Sequence, residues 1–438
     1  MKSNLNMTLL LCLLAIFVLG DHAMGQRRNA TKFDIVALKA TTKISNQSGT
    51  KLVADFYATS KDENAALSPP SIIATYAALA HVAKGKTKED LHKLLSFDGT
   101  EILAFLGLNN YLQENMPTNF RGESSGKYNS LGYFLVKTGR VDSNSVSPNE
   151  ILTKFGTTYR EIGFSESEAN RINKEIADFL TKGMDERMFE EFECSVVKAG
   201  PDKVMNVLTA VFFQEGWTPA MSMQFEWRND EPVMRPFSFD TGQKEIQYLS
   251  GIVSSHEIVT VNDQSFRGNQ KGYRFPLNKC DLTIVKCDNG TALKELASVI
   301  AREGLRIQAG RRVNQRASFF IPSVDIATEF DFSEYARAKG CDSPFTEGTA
   351  EYVLGQDVYC SNAKVQSCFE VNEDGFTLRQ ITFAEAMAIP IGRNQRMNNI
   401  EIKIDTPYLI LLTDRQLGTV LGMAFIANPV SEMLDDGF

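Results

Sequence analysis

Histidine is scarce in this chain, with four in 438 residues. One of them, His22, precedes the expected processing site, so His81, His92 and His256 are what remains for base chemistry. His81 falls late in a stretch that is apolar on most sides, where a packed histidine is the simpler reading. Residues 122 to 126, "GESSG", match the Gly-x-Ser-x-Gly pattern of a hydrolase nucleophile. That chemistry needs a strand before the serine, a helix after it and a histidine partner. The flanks here, "NMPTNFR" and "KYNS", read as polar loop, which argues against a hydrolase. There is no His-Glu-x-x-His, Cys-x-x-Cys, P-loop or Gly-x-Gly-x-x-Gly. No metal, nucleotide or other cofactor is therefore expected, and the chain does not read as an enzyme. Tryptophan occurs only twice, and Trp217 and Trp227 read as packing residues. A formal net charge of -8 argues against nucleic acid and anionic membrane surfaces as main partners. There is no repeat and no low-complexity tract.

Long apolar runs are also missing, except one. "MKSNLNMTLLLCLLAIFVLG" carries Lys2 and then an apolar core of about a dozen residues, short for a membrane span and right for a signal peptide. Small residues follow, and cleavage is expected after Gly25, leaving a secreted, extracellular chain. Of seven cysteines, Cys12 leaves with the signal. Cys194, Cys280, Cys287, Cys341, Cys360 and Cys368 remain, an even number that permits disulfides without requiring them. Cys280 and Cys287 flank one strand, too far apart to bridge; the other pairings stay open. Sequons at Asn29, Asn46 and Asn289 mark the mature chain as a glycoprotein candidate. The last lies in "KCDNGTA", a turn between a strand and a helix.

Helical and strand patterns alternate, giving an α+β class with a large sheet. "LSPPSIIATYAALAHVA" offers Ser68 as N-cap, prolines in the first turn and a helix buried all round. In "GKTKEDLHKLL", Thr87 reads as a cap with Asp90 three later. "FSESEANRINKEIADFLTKGM" has a capping box, Ser165 with Glu168, and an apolar stripe on one face. "VMNVLTAVFF" reads as a central strand covered on both faces. "YLILLTDRQLGTVLGMAFI" reads as a hairpin.

These segments resemble, in order from about residue 50 to 429, the motifs of the serpin family. "NAALSPPSIIATYAALAHVAKGKTKEDL" is similar to its helix-B stretch, and "VLTAVFFQEGW" to its central strand, ending in Trp217. "FFIPSVDIATEFDFSEYARAKGCDSPF" and "FEVNEDG" follow at the family's places. "TPYLILLTDRQLGTVLGMAFIANP" matches the C-terminal hairpin, including Asp414, Gly418, Thr419, Asn428 and Pro429. The resemblance implies three β-sheets with eight or nine helices and an exposed reactive-centre loop. On that basis residues 1–25 are the signal peptide, 26–48 an N-terminal extension and 49–438 a single serpin domain, with the loop at about 376–399. It also implies a monomer that meets an extracellular serine protease, trypsin-like or elastase-like, or carries an unknown ligand.

An inhibitory member lets its cut loop enter the main sheet as a new strand. The family hinge is small-residued; here Glu373, Asp374 and Gly375 lead into Phe376, Thr377, Leu378, Arg379, Gln380 and Ile381. Strand residues alternate faces, so in one register Phe376, Leu378 and Gln380 enter the core and in the other Arg379 and Ile381 do. Overfilling a core costs about 1–3 kcal/mol per site, and a buried unpaired Arg or Gln costs several kcal/mol more. Thr209 stands where the resemblance implies Asn, and Val365 or Gln366 where it often has His. With Ser71 and Trp217 these positions mark the expected sheet-opening region, with Ser71 retained and its polar partners replaced. The family's usual cleavage position falls at Ile389, before Pro390, a poor protease substrate. Ile391, Gly392, Arg393 and Arg396 are better scissile candidates. The resulting expectation is a serpin-fold protein that is non-inhibitory or weakly inhibitory, serving as a protease substrate, binder or carrier. The alternative is a functional serine-type endopeptidase inhibitor acting by loop cleavage and insertion.

Overall fold

A computed structural model describes residues 31–97, 103–115, 119–120, 123–124, 126–140, 146–181, 196–218, 233–253, 259–263, 271–312, 317–354, 358–360, 363–372, 375–380 and 400–429. Among these lie nine α-helices and three large sheets with one small ribbon. The expected signal peptide falls outside the described residues, and no helix among them is long and apolar enough to cross a membrane.

The helices are α1 (Thr31–Ile44), α2 (Thr50–Thr59), α3 (Pro69–His81), α4 (Gly85–Leu95), α5 (Phe105–Asn115), α6 (Pro148–Phe155), α7 (Glu166–Thr181), α8 (Gly290–Glu303) and α9 (Phe332–Ala338). The central sheet has six strands. In spatial order they are β14 (Val324–Asp331), β15 (Lys364–Asn372), β16 (Gly375–Gln380), β6 (Met205–Gly216), β4 (Gly126–Lys137) and β5 (Thr158–Ile162). All its pairings are antiparallel except β4 with β5. A seven-stranded antiparallel sheet runs β1 (Asn64–Leu67), β19 (Val420–Ile426), β18 (Tyr408–Asp414), β11 (Cys280–Lys286), β10 (Lys271–Pro276), β9 (Val259–Asp263) and β12 (Ile307–Arg312). The third sheet is β17 (Ile400–Lys403), β13 (Ala317–Pro322), β8 (Gly242–Val253) and β7 (Val233–Phe239), and β2 (Asn119–Phe120) pairs with β3 (Glu123–Ser124) as a ribbon.

Local chemistry explains the elements that frame the central sheet. Pro69 and Pro70 open α3, where a missing N–H costs nothing, and the helix is buried on nearly all sides. The capping box of α7 forms: the Ser165 N–H donates to Glu168 Oε2 at 3.2 Å and the Glu168 N–H to Ser165 Oγ at 3.4 Å. Its stripe of Ala169, Ile172 and Ile176 packs on Leu208 and Ala210 of β6. The alternate residues Val211 and Phe213 face the main core. β6 is thus covered on both faces, as its continuous apolar run requires.

Two sequence expectations change. α4 begins at Gly85, two residues before Thr87, so Thr87 does not cap it. The Thr87 hydroxyl instead accepts the Glu351 N–H at 2.9 Å, and Asp90 accepts from Ser343 Oγ at 2.6 Å and Lys86 Nζ at 2.8 Å. Both side chains therefore dock the 341–351 segment. The fold also starts earlier than residue 49. Leu38 and Ile44 of α1 are in the core, and the Thr42 hydroxyl lies 2.8 Å from that of Thr419 in the C-terminal hairpin.

Candidate functional site in the central sheet

The hinge segment is a strand of the central sheet. Asn372 of β15 is in register with Gly375 of β16, leaving two residues between the strands. β16 then lies between β15 and β6, with Gly375 opposite Gly216, Phe376 opposite Glu215, Leu378 opposite Phe213 and Gln380 opposite Val211. Among the described residues no bridge joins β15 directly to β6. The sheet has taken up six residues of its own hinge with the chain uncut.

Phe376 is 1% exposed. Its ring meets Phe369 of β15 edge-on at 5.0 Å and Phe213 of β6 at 6.0 Å. Edge-to-face aromatic pairs add about 0.5–1.5 kcal/mol beyond area burial. The bulk of Phe376 therefore fills a site lined by aromatic neighbours on both flanking strands. This corrects the expectation that a wide side chain just after Gly375 overfills the sheet. Thr377 is in register with Glu370 and Gln214, and Arg379 with Cys368 and Phe212. Glu373 and Ile381 lie outside the described residues, as do the scissile candidates Ile389, Ile391, Gly392, Arg393 and Arg396.

The sheet-opening residues divide into two places. Ser71 and Thr209 are joined through Thr75, a residue the sequence reading did not single out. The Thr75 hydroxyl of α3 lies 3.0 Å from the Ser71 carbonyl and 2.9 Å from the Thr209 hydroxyl of β6. Trp217 does not belong with them. It stands eight residues up β6, about 26 Å away at 3.3 Å per residue. There it is 3% exposed and forms an isolated bridge with Leu277 of the β10–β11 turn.

On β15, Val365 is buried, while Gln366 is exposed and donates to Glu329 Oε2 at 2.9 Å. The polar tie of this strand is Ser367, 1% exposed. Its hydroxyl lies 2.7 Å from that of Thr328 on β14 and donates to the Ala66 carbonyl of β1. The signal was a serine inside an otherwise alternating strand, "KVQSCFEVN". Thr75 thus ties β6 to the helix behind it, and Ser367 ties β15 to its neighbour β14 and to β1 behind the sheet.

The upper end of β6 is clamped by the turn between β10 and β11. The Asn278 N–H and Nδ2 donate to the Gly216 carbonyl at 3.1 and 3.2 Å. The Lys279 N–H donates to Glu215 Oε1 at 3.0 Å. Arg415, in the β18–β19 turn, braces the clamp by donating to the Leu277 carbonyl at 2.6 Å and Asp281 at 2.7 Å. Glu215 is fully buried, and burial pushes its carboxyl up to about 8, only partly opposed by the Lys279 N–H and the charges of Arg415 and Lys279.

Of the sequons, Asn29 lies outside the described residues. Asn289 is exposed and caps α8, its Oδ1 accepting the Ala292 N–H at 2.8 Å. Asn46 spends both ends of its amide on the C-terminal hairpin, Nδ2 donating to the Gly418 carbonyl at 2.7 Å and Oδ1 accepting the Val420 N–H at 2.8 Å. That amide ties the α1–α2 junction to the hairpin. Among the described residues, Cys280, Cys287, Cys341 and Cys360 form no disulfide with one another, and the distance along β11 keeps the first two apart.

The sequence profile described as Serpin (serine protease inhibitor) matches residues 43–429. Neuroserpin of Mus musculus is 21% identical over 389 residues, 85% of this chain and 87% of the relative. Heparin cofactor 2 of Homo sapiens is 19% identical over 381 residues, 84% of this chain and 70% of the relative. Among solved structures, a thyroxine-binding globulin complex with thyroxine aligns with a TM-score of 0.62 at 16% identity, over 89% of this chain and 99% of that one. Mouse protein-Z dependent protease inhibitor aligns with a TM-score of 0.63 at 16% identity, over 90% and 100%. Three sheets, a hinge between β15 and β6, and a profile spanning most of the sequence lead to one assignment: the chain belongs to the serpin family.

Proposed function

We propose that this chain is a secreted serpin that acts by binding or carrying a ligand, or as a protease substrate, and does not trap proteases efficiently. The observation that carries this reading is β16, already a strand between β15 and β6 in the uncut chain. A trap draws its driving force from loop residues entering the sheet after cleavage. Residues that are already in the sheet release nothing at that step. Trapping is a race against deacylation, and each 1.4 kcal/mol lost from the barrier balance slows it about tenfold. Export is supported by the N-terminal apolar run and its small-residue border. A small-molecule ligand is consistent with the fold shared with thyroxine-binding globulin, a serpin solved with thyroxine.

A functional serine-protease inhibitor is the second reading, and the fit of Phe376 favours it, since this bulky first residue of the hinge meets no steric bar. Mixing the protein with trypsin-like and elastase-like proteases and running a denaturing gel separates the two. The proposal expects clean cleavage between residues 386 and 397 with active protease left over. A covalent adduct at near one-to-one stoichiometry supports the inhibitor and defeats the proposal.

A further inference from the structure

We propose that Glu215 is a proton-dependent fastener between two sheets: while its carboxyl is neutral the β10–β11 and β18–β19 turns close over the upper end of β6, and ionisation lets those turns lift. The closed junction is built on three successive residues of β6 and its end. Lys279 donates its N–H to Glu215 Oε1 at 3.0 Å, Asn278 donates to the Gly216 carbonyl at 3.1 and 3.2 Å, and Trp217 bridges to Leu277. Of the three β6-side residues, Glu215 alone carries a group that can charge. It has no exposed surface. The Lys279 bond goes to Oε1, while Oε2 has no hydrogen-bond partner among the described residues. A buried carboxylate left this way is strongly disfavoured, whereas a neutral carboxyl needs far less.

The charges around the junction do not rescue the ionised form. The β10–β11 turn brings Lys279 and, at the start of β11, Cys280, whose thiol is pushed up by burial and by Glu215 and Asp414. The β18–β19 turn brings Asp414 and Arg415. Asp414 repels a second negative charge, and its own carboxyl is raised by burial. Arg415 spends its guanidinium on the other turn: Nε on Asp281 at 2.7 Å, and the two terminal nitrogens on the Leu277 and Asn278 carbonyls at 2.6 and 3.3 Å. Arg274 of β10 also lies against Asp281, at 3.8 Å. Tyr111 of α5 reaches the cluster through Gln416, at 2.7 Å, and senses Asp414 and Cys280. β4 and β16 place only Gly126 and Phe376 opposite Glu215. The nearby cations are thus largely matched by Asp281 and Asp414. The groups that meet the carboxyl from above belong to the two turns, so lifting them hydrates it while β4, β6 and β16 stay paired.

The sign follows from linkage. With the turns closed, burial holds the carboxyl up to about 8; with them lifted, it moves toward its ordinary 4.5. The closed junction therefore binds the extra proton between those values. Closure is strongest at the acid end of that window, weakens by up to about tenfold per pH unit as pH rises through it, and is flat outside it. The effect is the same whether or not the chain traps a protease.

The test is hydrogen exchange on the intact chain at the Asn278 and Lys279 amides, the two that β6 accepts. It runs from about pH 5.5 to about pH 7.5, corrected for intrinsic exchange, with the amides of Leu282 to Val285 inside β11 as the reference. The expected result is protection of the turn falling by up to about 100-fold across that range while the β11 reference stays constant. Glu215→Gln, which mimics the neutral acid and keeps an acceptor for the Lys279 N–H, should hold the turn protected at every pH. A flat wild-type profile, or an equal slope inside β11, would overturn the proposal. So would the same turn slope in Glu215→Gln, which would assign the titration to Asp414 or another neighbour. The wild-type comparison of the turn with β11 decides the matter even if the variant does not fold.

Discussion

Truncating Phe376 distinguishes a built site from an overfilled one, because the two give opposite signs. In Phe376→Ala the ring is lost from a position 1% exposed, with Phe369 at 5.0 Å and Phe213 at 6.0 Å left facing a void. Burying a phenylalanine and losing it to alanine costs about 3–5 kcal/mol in a packed core. That loss falls first on the inserted hinge, since β16 has the option of withdrawing while the rest of the sheet stays folded. At about 1.4 kcal/mol per decade, even the lower figure reduces hinge-amide protection at fixed pH by about two orders of magnitude. Urea unfolding of the whole domain should lose less, because it is limited to what insertion contributes. Phe376→Leu, a smaller change in shape and volume, should cost under about 1.5 kcal/mol. The assay is exchange at Gly375–Gln380 for the three proteins side by side. Unchanged protection in Phe376→Ala would show that these contacts do not hold the strand. Increased protection would show that the ring is overpacked, and either result would refute the argument.

Thr75→Val should destabilise the domain by about 1–2 kcal/mol in urea, since it leaves the Thr209 hydroxyl without its partner; no loss would mean that Thr75 does not tie α3 to β6. Asp90 has its carboxyl pushed up by burial and pulled down by hydrogen bonds from Lys86 and Ser343, and the net shift is downward. It therefore stabilises the fold above its ordinary 3.8 and loses that contribution as pH falls through the lower folded value. Asp90→Asn should cost about 1.5–3 kcal/mol at pH 7, with the gap to wild type closing in acid; a pH-independent gap would contradict this. Expressed through a secretory route, the chain should carry glycan at Asn289 and none at Asn46, read by peptide mass. Asn46→Ala should also lower stability by about 1–3 kcal/mol through its two lost bonds to the hairpin, and neutrality would remove its structural role.

The scaffold was legible in the sequence where the pattern is physical. The nearly continuous apolar run "VMNVLTAVFF" reads as a strand covered on both faces, and Ser165 with Glu168 reads as a clean helix start. Cys280 and Cys287 are kept apart by the strand between them. The hinge was harder. Counting side-chain volumes after Gly375 gives the cost of entering a tight core, but not whether that core was built around them. Phe369 and Phe213, distant in sequence, are what make room for Phe376. Trp217 looked like a member of the sheet-opening group because it ends the same strand as Thr209, but strand length separates them. Thr75, Ser367 and Thr328 were missed because a hydroxyl tie depends on which elements face each other. Glu215 was overlooked because a single glutamate in an apolar strand has no local signature beyond its incongruity.

Amide exchange of the uncut wild-type chain at neutral pH weighs the whole account at once. If β16 is part of the central sheet, Gly375–Gln380 exchange slowly, with protection well above that of an open loop. If those six amides exchange at the rate of free peptide, the slot between β15 and β6 is not filled by the hinge, and the case for a serpin without an efficient trap falls with it.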